Sequence, residues 1–309
     1  MEINYSIIIP HKNSPKLLAY CLTTIPVRDD VQVIVVDDNS DPQKVDIVHF
    51  PQWKGKHYEY YLTKDGKGAG YARNVGLEHA KGKWLLFADA DDFFLPVINE
   101  VLDENVNSDA DIIYFRPQAV MSEDRRTPSP RADLYTKWIN DYHKNQSELA
   151  LRLSWAPVWS RIIRHELVIG NHIRFDEIQY SNDLCFSMRI GCVANKIEVS
   201  DSSLYVITQS NDSLTANNFQ KEGAIATRTK ACIDAQYIAK QHGYPISEGY
   251  MMRCFRNLFM QDKTAFFEYF RYALGLGYSR VRLSRRIFPG RTPKAIIKQC
   301  YTTIVSFIS

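Results

Sequence analysis

Apolar residues in the first third of the chain come in short continuous runs. Tyr5 to Ile9 stops at Pro10, Val31 to Val36 stops on Asp37-Asp38-Asn39-Ser40, and Trp84 to Phe87 runs into Ala88-Asp89-Ala90-Asp91-Asp92. Short runs with no polar alternation are the pattern of strands buried on both faces, as in a parallel sheet. Tyr58 to Leu62 reads as a weaker strand and Ala110 to Phe115 as another. Between them, Ser14-Pro15 has the form of an N-cap and first helical residue, and Leu17, Leu18, Cys21 and Leu22 then mark a helical face. The segment Gly68-Ala69-Gly70-Tyr71-Ala72-Arg73-Asn74-Val75-Gly76 opens a second helix that ends near Lys81-Gly82. This alternation predicts an α/β fold built from βαβ units around a mainly parallel sheet.

After Phe115 the pattern loosens. Residues 122–133 are polar and contain proline, which reads as a mobile loop, and residues 134–215 mix short helices and strands, including Leu204 to Thr208. From about Ala224 the chain is helical. Beyond Pro293, Ile296, Ile297, Cys300, Tyr301, Ile304 and Ile308 fall on one helical face. The expected division is 1–105, 106–222, and a helical extension over 223–309.

Composition changes the picture in three places. The net charge of +3 gives no reason to expect a nucleic-acid partner, but its distribution is uneven: from Tyr269 onward there are eight basic residues and no acid. The six cysteines are scattered, with no Cys-x-x-Cys pair, and the eight histidines show no metal-ligand spacing. Free thiols in apolar patterns suit a reducing compartment. The first residues lack the pattern of a signal peptide. No apolar run approaches the ~18 residues needed to cross a bilayer, so a cytoplasmic protein is expected.

The candidate chemistry sits at strand ends, where open α/β sheets bind ligands. Pro10-His11-Lys12-Asn13, Asp37-Asp38-Asn39-Ser40 and Asp89-Ala90-Asp91-Asp92 would gather at one edge, with Arg73 on the glycine-rich helix between the last two. Acids spaced Asp-x-Asp suit a hard divalent cation and the phosphates it bridges. The plainer reading of Asp38 is a turn cap before Pro42, and of Asp183 an N-cap for a helix through Phe186 and Ile190. Trp155 and Trp159 read as packing residues.

With Ile7-Ile8-Ile9-Pro10 and Asn13, Val35-Val36-Asp37-Asp38-Asn39-Ser40, Ala72-Arg73-Asn74-Val75-Gly76 and Phe87-Ala88-Asp89-Ala90-Asp91-Asp92 in this order and spacing, the sequence resembles the family 2 glycosyltransferases. These are bacterial enzymes with the GT-A, Rossmann-like nucleotide-sugar fold. The resemblance is strong over residues 5–95. It continues more weakly through Trp159-Ser160-Arg161, Ile173 to Glu177 and Ser181 to Phe186. It implies an inverting transfer from a UDP-sugar to a hydroxyl of a glycan or lipid-linked glycan in surface polysaccharide synthesis. By the same resemblance Pro10 lies against the base through its backbone, Asp38 hydrogen-bonds uracil, and Arg73 helps hold the nucleotide. Asp89 faces ribose and metal, and Asp91 ligates Mn²⁺ or Mg²⁺ on the diphosphate. Asp183 takes the place of the catalytic base. The residue before it is Asn182 rather than the usual acid, which leaves Glu177 as a second candidate. His11-Lys12 also departs from the family pattern and should alter the wall of the base pocket.

Three other functions share parts of this pattern. A glycoside hydrolase also uses two carboxylates but needs neither nucleotide nor metal. A nucleotidyltransferase carries a glycine-rich phosphate loop after its first strand, which Pro10-His11-Lys12-Asn13 lacks. An inactive glycan-binding homologue would not need Asp38, Asp89, Asp91 and Asp183 together. The basic, amphipathic tail has two readings: it packs on the catalytic domain, or it touches an anionic membrane surface and makes the protein peripheral.

Overall fold

The computed structural model describes residues 2–46, 58–210, 223–245 and 248–287. The tail helix expected beyond Pro293 lies outside them. The described residues fall into two compact units, the first carrying the sheet and the second the last helices.

The sheet begins with the strands that the continuous apolar runs predict: β1 (Tyr5–His11), β2 (Val31–Asp37), β3 (Tyr58–Leu62) and β4 (Trp84–Phe87). All seven positions of β1 and of β2 are buried, whereas β3 is half-buried and lies at the edge. β1 pairs in parallel with β2 and with β4, and β2 with β3. Helices α1 (Pro15–Thr23) and α2 (Ala69–His79) connect them. α2 lies directly on β1, where a Cβ at Gly76 would stand 2.4 Å from Ile8 Cγ2. Pro15 opens α1 as expected, but Ser14 caps with no side-chain bond; its backbone N–H donates to His11 Nε2 at 3.2 Å.

The second half of the sheet is mixed. It is built from β5 (Phe93–Phe94), β6 (Ile112–Met121), β7 (Arg161–Arg164) and β8 (Ile197–Gln209), giving the order β3-β2-β1-β4-β7-β6-β8-β5. β7 runs antiparallel to β4 and β6, and β5 antiparallel to β8, while β6 and β8 are parallel. The strand expected to stop at Phe115 continues to Met121, because β6 crosses register shifts on both sides of Arg116 and resumes pairing at Pro117. Residues 122–129 form a closed turn rather than an open loop. Met121 N–H donates to Thr127 O, and the Asp124 carboxylate accepts from the Arg126 and Thr127 amides. Around the sheet lie α3 (Ile98–Asn105), α4 (Asp133–Asn145), α5 (Leu149–Ser154), α6 (His165–Gly170) and α7 (Leu184–Val193). Trp155 and Trp159 are buried against Tyr135, as packing residues should be.

The second unit contains α8 (Ala224–Gln241), α9 (Gly249–Gln261), α10 (Lys263–Gly275) and α11 (Arg280–Ile287). α8 packs on α9, which also meets α10 and α11. In α11, Leu283 and Ile287 turn inward, while Arg282 and Arg286 both pair with the buried Glu248 carboxylate. The described cysteines are all buried and unbridged. No helix among the described residues is long and apolar enough to cross a membrane.

Candidate active site

The parallel register of β1, β2 and β4 brings their carboxyl ends to one edge of the sheet, with His11 opposite Asp37 and Ile8 opposite Phe87. The expected site residues Pro10, Asp38 and Asp89 therefore meet there, and each has a distinct environment.

The two acids at the end of β2 divide their work. Asp37 is fully buried and accepts from His11 Nδ1 at 2.7 Å, Ser40 N at 2.6 Å and Ser40 Oγ at 2.7 Å. Because Ser14 N–H already donates to Nε2, the His11 proton faces Asp37 from Nδ1. Burial alone would raise the Asp37 carboxyl, but the bonds from His11 and Ser40 outweigh it and hold it below the usual range. Asp37, not Asp38, is thus the turn cap. Asp38 is also buried, but its Oδ2 accepts from Gly68 N at 2.9 Å and from half-exposed Lys12 Nζ at 3.3 Å, with Thr63 Oγ1 3.4 Å from Oδ1. Of the unusual His11-Lys12 pair, His11 points into the core and Lys12 reaches the carboxylate expected to read the base.

The acids after β4 are arranged otherwise. Asp89, Asp91 and Asp92 each offer a carboxylate oxygen, and these oxygens lie within 4.8 Å of one another. The turn is fixed by Asp92 N–H donating to Asp89 O and by Asp89 N–H donating to Tyr205 Oη at 2.8 Å. Asp92 is buried and accepts from Thr208 N at 2.7 Å, so it ties the turn to β8. Asp91 is exposed. Partial desolvation and the charge of Asp89 push Asp91 above its usual range, with Arg131 and Arg125 acting against them. Asp92 is pushed higher still by burial and by both neighbouring acids. Three acids stand together, with Arg73 paired to Asp89, and their all-oxygen donor set fits a hard divalent cation.

Arg73 lies between this cluster and the segment ahead of α7. Its Nη2 donates to Asp89 Oδ1 at 2.6 Å and its Nη1 to Asn182 Oδ1 at 2.8 Å. Asp183 stands at the start of α7 without capping it. Burial raises its carboxyl above the usual range, opposed by Arg73 and Arg161 and reinforced by Asp89. Glu177, the other candidate base, is exposed and accepts from Asn74 Nδ2 at 3.3 Å. Lys12, expected at the wall of the base pocket, reaches Asp38 itself. Asn74, Tyr205, Thr208, Arg125 and Arg131 were not among the expected site residues; Asn74 lies in the Ala72 to Gly76 motif, but the others reach the site only through the fold.

Residues 6–169, more than half of the chain, match the model of glycosyl transferase family 2. The chain belongs to that family. It is 28% identical over 224 residues to the poly(ribitol-phosphate) β-N-acetylglucosaminyltransferase TarS of Staphylococcus aureus, a match covering 67% of this chain and 36% of TarS. It is 24% identical over 255 residues to the uncharacterized glycosyltransferase YibD of Escherichia coli, covering 78% and 74%. The chain thus spans only about a third of the length of TarS. The fold is similar to that of S. aureus TarS residues 1–349 in complex with UDP-GlcNAc, with a TM-score of 0.55 at 21% identity over 85% of this chain and 74% of that one. It is also similar to a mannosyltransferase of Pyrobaculum calidifontis in complex with GDP-Man and Mn²⁺, with a TM-score of 0.53 at 13% identity over 100% and 81%. These likenesses establish the GT-A fold expected from the sequence, with a helical C-terminal region.

Proposed function

We propose that this chain is an inverting glycosyltransferase that moves a sugar from a UDP-sugar to a hydroxyl of a glycan acceptor in surface polysaccharide synthesis. The observation that carries this reading is the gathering, at one sheet edge, of a buried acid for the base (Asp38) and an acid cluster (Asp89, Asp91), to which Arg73 ties Asn182, the neighbour of a separate acid, Asp183. Family membership and the UDP-GlcNAc complex of TarS support the donor class.

Pro10 and Asp38 would hold the uracil, the latter by accepting from N3–H. Asp89 and Asp91 would hold Mn²⁺ or Mg²⁺, which neutralises the diphosphate leaving group. Asp92 is engaged with Thr208 and shapes the turn instead. Asp183 takes the proton from the attacking hydroxyl; a carboxyl raised by burial is a better base near neutral pH than an exposed one. On this reading residues 1–105 form the donor half and 106–222 the acceptor half. The acceptor is a glycan, lipid-linked in the membrane-facing version of the proposal. The protein would then sit in the cytoplasm against the inner face of the membrane, held there by basic residues that include those of α11.

The test is a screen of UDP-sugars for UDP release with and without Mn²⁺ or Mg²⁺. Cation-dependent release from at least one supports the proposal; no release from any, together with no binding of UDP, rejects it. Sedimentation with anionic liposomes at low salt tests the membrane part separately.

A further inference from the structure

The face of α2 that carries the glycine-rich motif is turned toward residues 174–182, the segment leading to Asp183. Residues 70, 73 and 74 share one side of the helix by their i, i+3, i+4 spacing. A Cβ at Gly70 would lie 2.2 Å from Asp176 O and 2.9 Å from Asn182 Cβ, so only glycine admits this approach. Asn74 grips Phe175 at both backbone positions: its Oδ1 accepts from Phe175 N at 2.8 Å and its Nδ2 donates to Phe175 O at 3.0 Å. Arg73 bridges Asn182 and Asp89, as above, with its guanidinium over the Phe175 ring at 5.5 Å. Its side chain is 7% exposed, and its Nε has no partner among the described residues. The segment is closed on itself by Asp176 N–H donating to Asn182 O at 3.2 Å, and α7 begins two residues after Asn182.

We propose that this face of α2 is a strut that positions the base, in which Arg73 fixes Asp183 relative to Asp89 by holding Asn182, and Asn182 is the neutral partner the strut requires. The inference rests on the glycosyltransferase reading for what the base does, but not for the strut itself. A planar guanidinium whose two terminal nitrogens diverge can fix the separation of two chain segments; an ammonium cannot do so with the same geometry. Two of the five N–H donors of Arg73 are engaged by protein, one on Asn182 and one on Asp89, and these two bonds make the strut. The departure at 182 also has a physical reason. An acid there would compete with Asp89 for the guanidinium and place a like charge beside Asp183. An amide oxygen accepts the same bond and adds no charge. The charged groups acting on Asp183 are then Arg73 from α2, Asp89 from the end of β4 and Arg161 from β7.

The experiment compares Arg73→Lys, Asn182→Ala and Asn182→Asp in the full chain. It reads kcat and donor KM for UDP release, UDP affinity by calorimetry, the pH profile of kcat, and hydrogen exchange over residues 175–187. The strut predicts that Arg73→Lys and Asn182→Ala lower kcat about 10- to 100-fold, since misplacing a catalytic group by an ångström costs about that much. UDP affinity should stay within about threefold, and the Asp176 amide should exchange faster. Asn182→Asp should move the acidic limb of the kcat profile to higher pH. If Arg73→Lys weakens UDP binding as much as it lowers kcat and leaves exchange over 175–187 unchanged, Arg73 is a nucleotide ligand and the strut is wrong. A wild-type protein that releases no UDP rejects the glycosyltransferase reading, while hydrogen exchange still decides the strut.

Discussion

The acids at the end of β2 and the acids after β4 occupy equivalent places, at the carboxyl ends of buried parallel strands, yet the fold treats them in opposite ways. Asp37 receives three donors and is held below its ordinary range, a carboxylate satisfied by protein alone. Asp91 and Asp92 crowd against Asp89 and are pushed above theirs. A motif acid with all its hydrogen bonds made is a clip that shapes the turn. A cluster of three acids that raise one another is the place proposed for a cation. An Asp-Asp pair in a sequence does not say which it is; its donors do.

The contrast breaks most visibly at Asp91. Asp91→Ala should lower sugar transfer by about 10³-fold or more, the scale on which electrostatic stabilisation of a leaving group acts, while thermal melting without cation shows no loss of stability. Retained activity in the presence of a chelator contradicts it. Asp183 extends the contrast to a third acid. Asp183→Asn keeps the shape but removes the base and should cut kcat roughly 10²–10⁴-fold with UDP affinity unchanged. Glu177→Gln should leave kcat near wild type, and the reverse pattern in steady-state assays would reassign the base.

Within the Asp37-Asp38 pair the effects should differ in kind. Asp38→Ala should erase a preference for UDP over CDP by about tenfold or more, the worth of one buried charged hydrogen bond, as read by calorimetry. Asp37→Ala should instead cost about 2–3 kcal/mol of stability, because it strands the His11 and Ser40 donors, with nucleotide preference retained. The pH dependence carries a sign. The folded Asp37 carboxyl titrates below its unfolded value of about 3.9, so its contribution is present above that pH and is lost as pH falls through the folded value. Melting temperatures followed below about pH 5 should therefore drop more steeply in wild type than in Asp37→Ala.

The parallel half of the fold was legible because β1, β2 and β4 are buried throughout and mostly apolar, with Ser6 and Gln32 as lone polar positions. In the second half the same logic reached only parts of β6 and β8. β8 runs Ile-Glu-Val-Ser-Asp-Ser-Ser before its apolar portion, and β6 is broken at Arg116-Pro117 by register shifts that pairing with β8 tolerates. Of the site, the strand-end acids were visible as motifs. Their division of labour was not, since Asp92 is claimed by Thr208, 116 residues away, and Arg73 by Asn182, 109 residues away. Such partners are set by topology, and no local pattern marks them.

The difference between the two acid sites is tested most directly by titrating UDP into the wild-type protein by calorimetry, once with Mn²⁺ and once with chelator. UDP should bind at least about tenfold more tightly with the cation, a difference of ~1.4 kcal/mol, and Asp91→Ala in Mn²⁺ should behave as wild type does in chelator. Equal UDP affinity under both conditions, or a cation effect that survives Asp91→Ala, would contradict it.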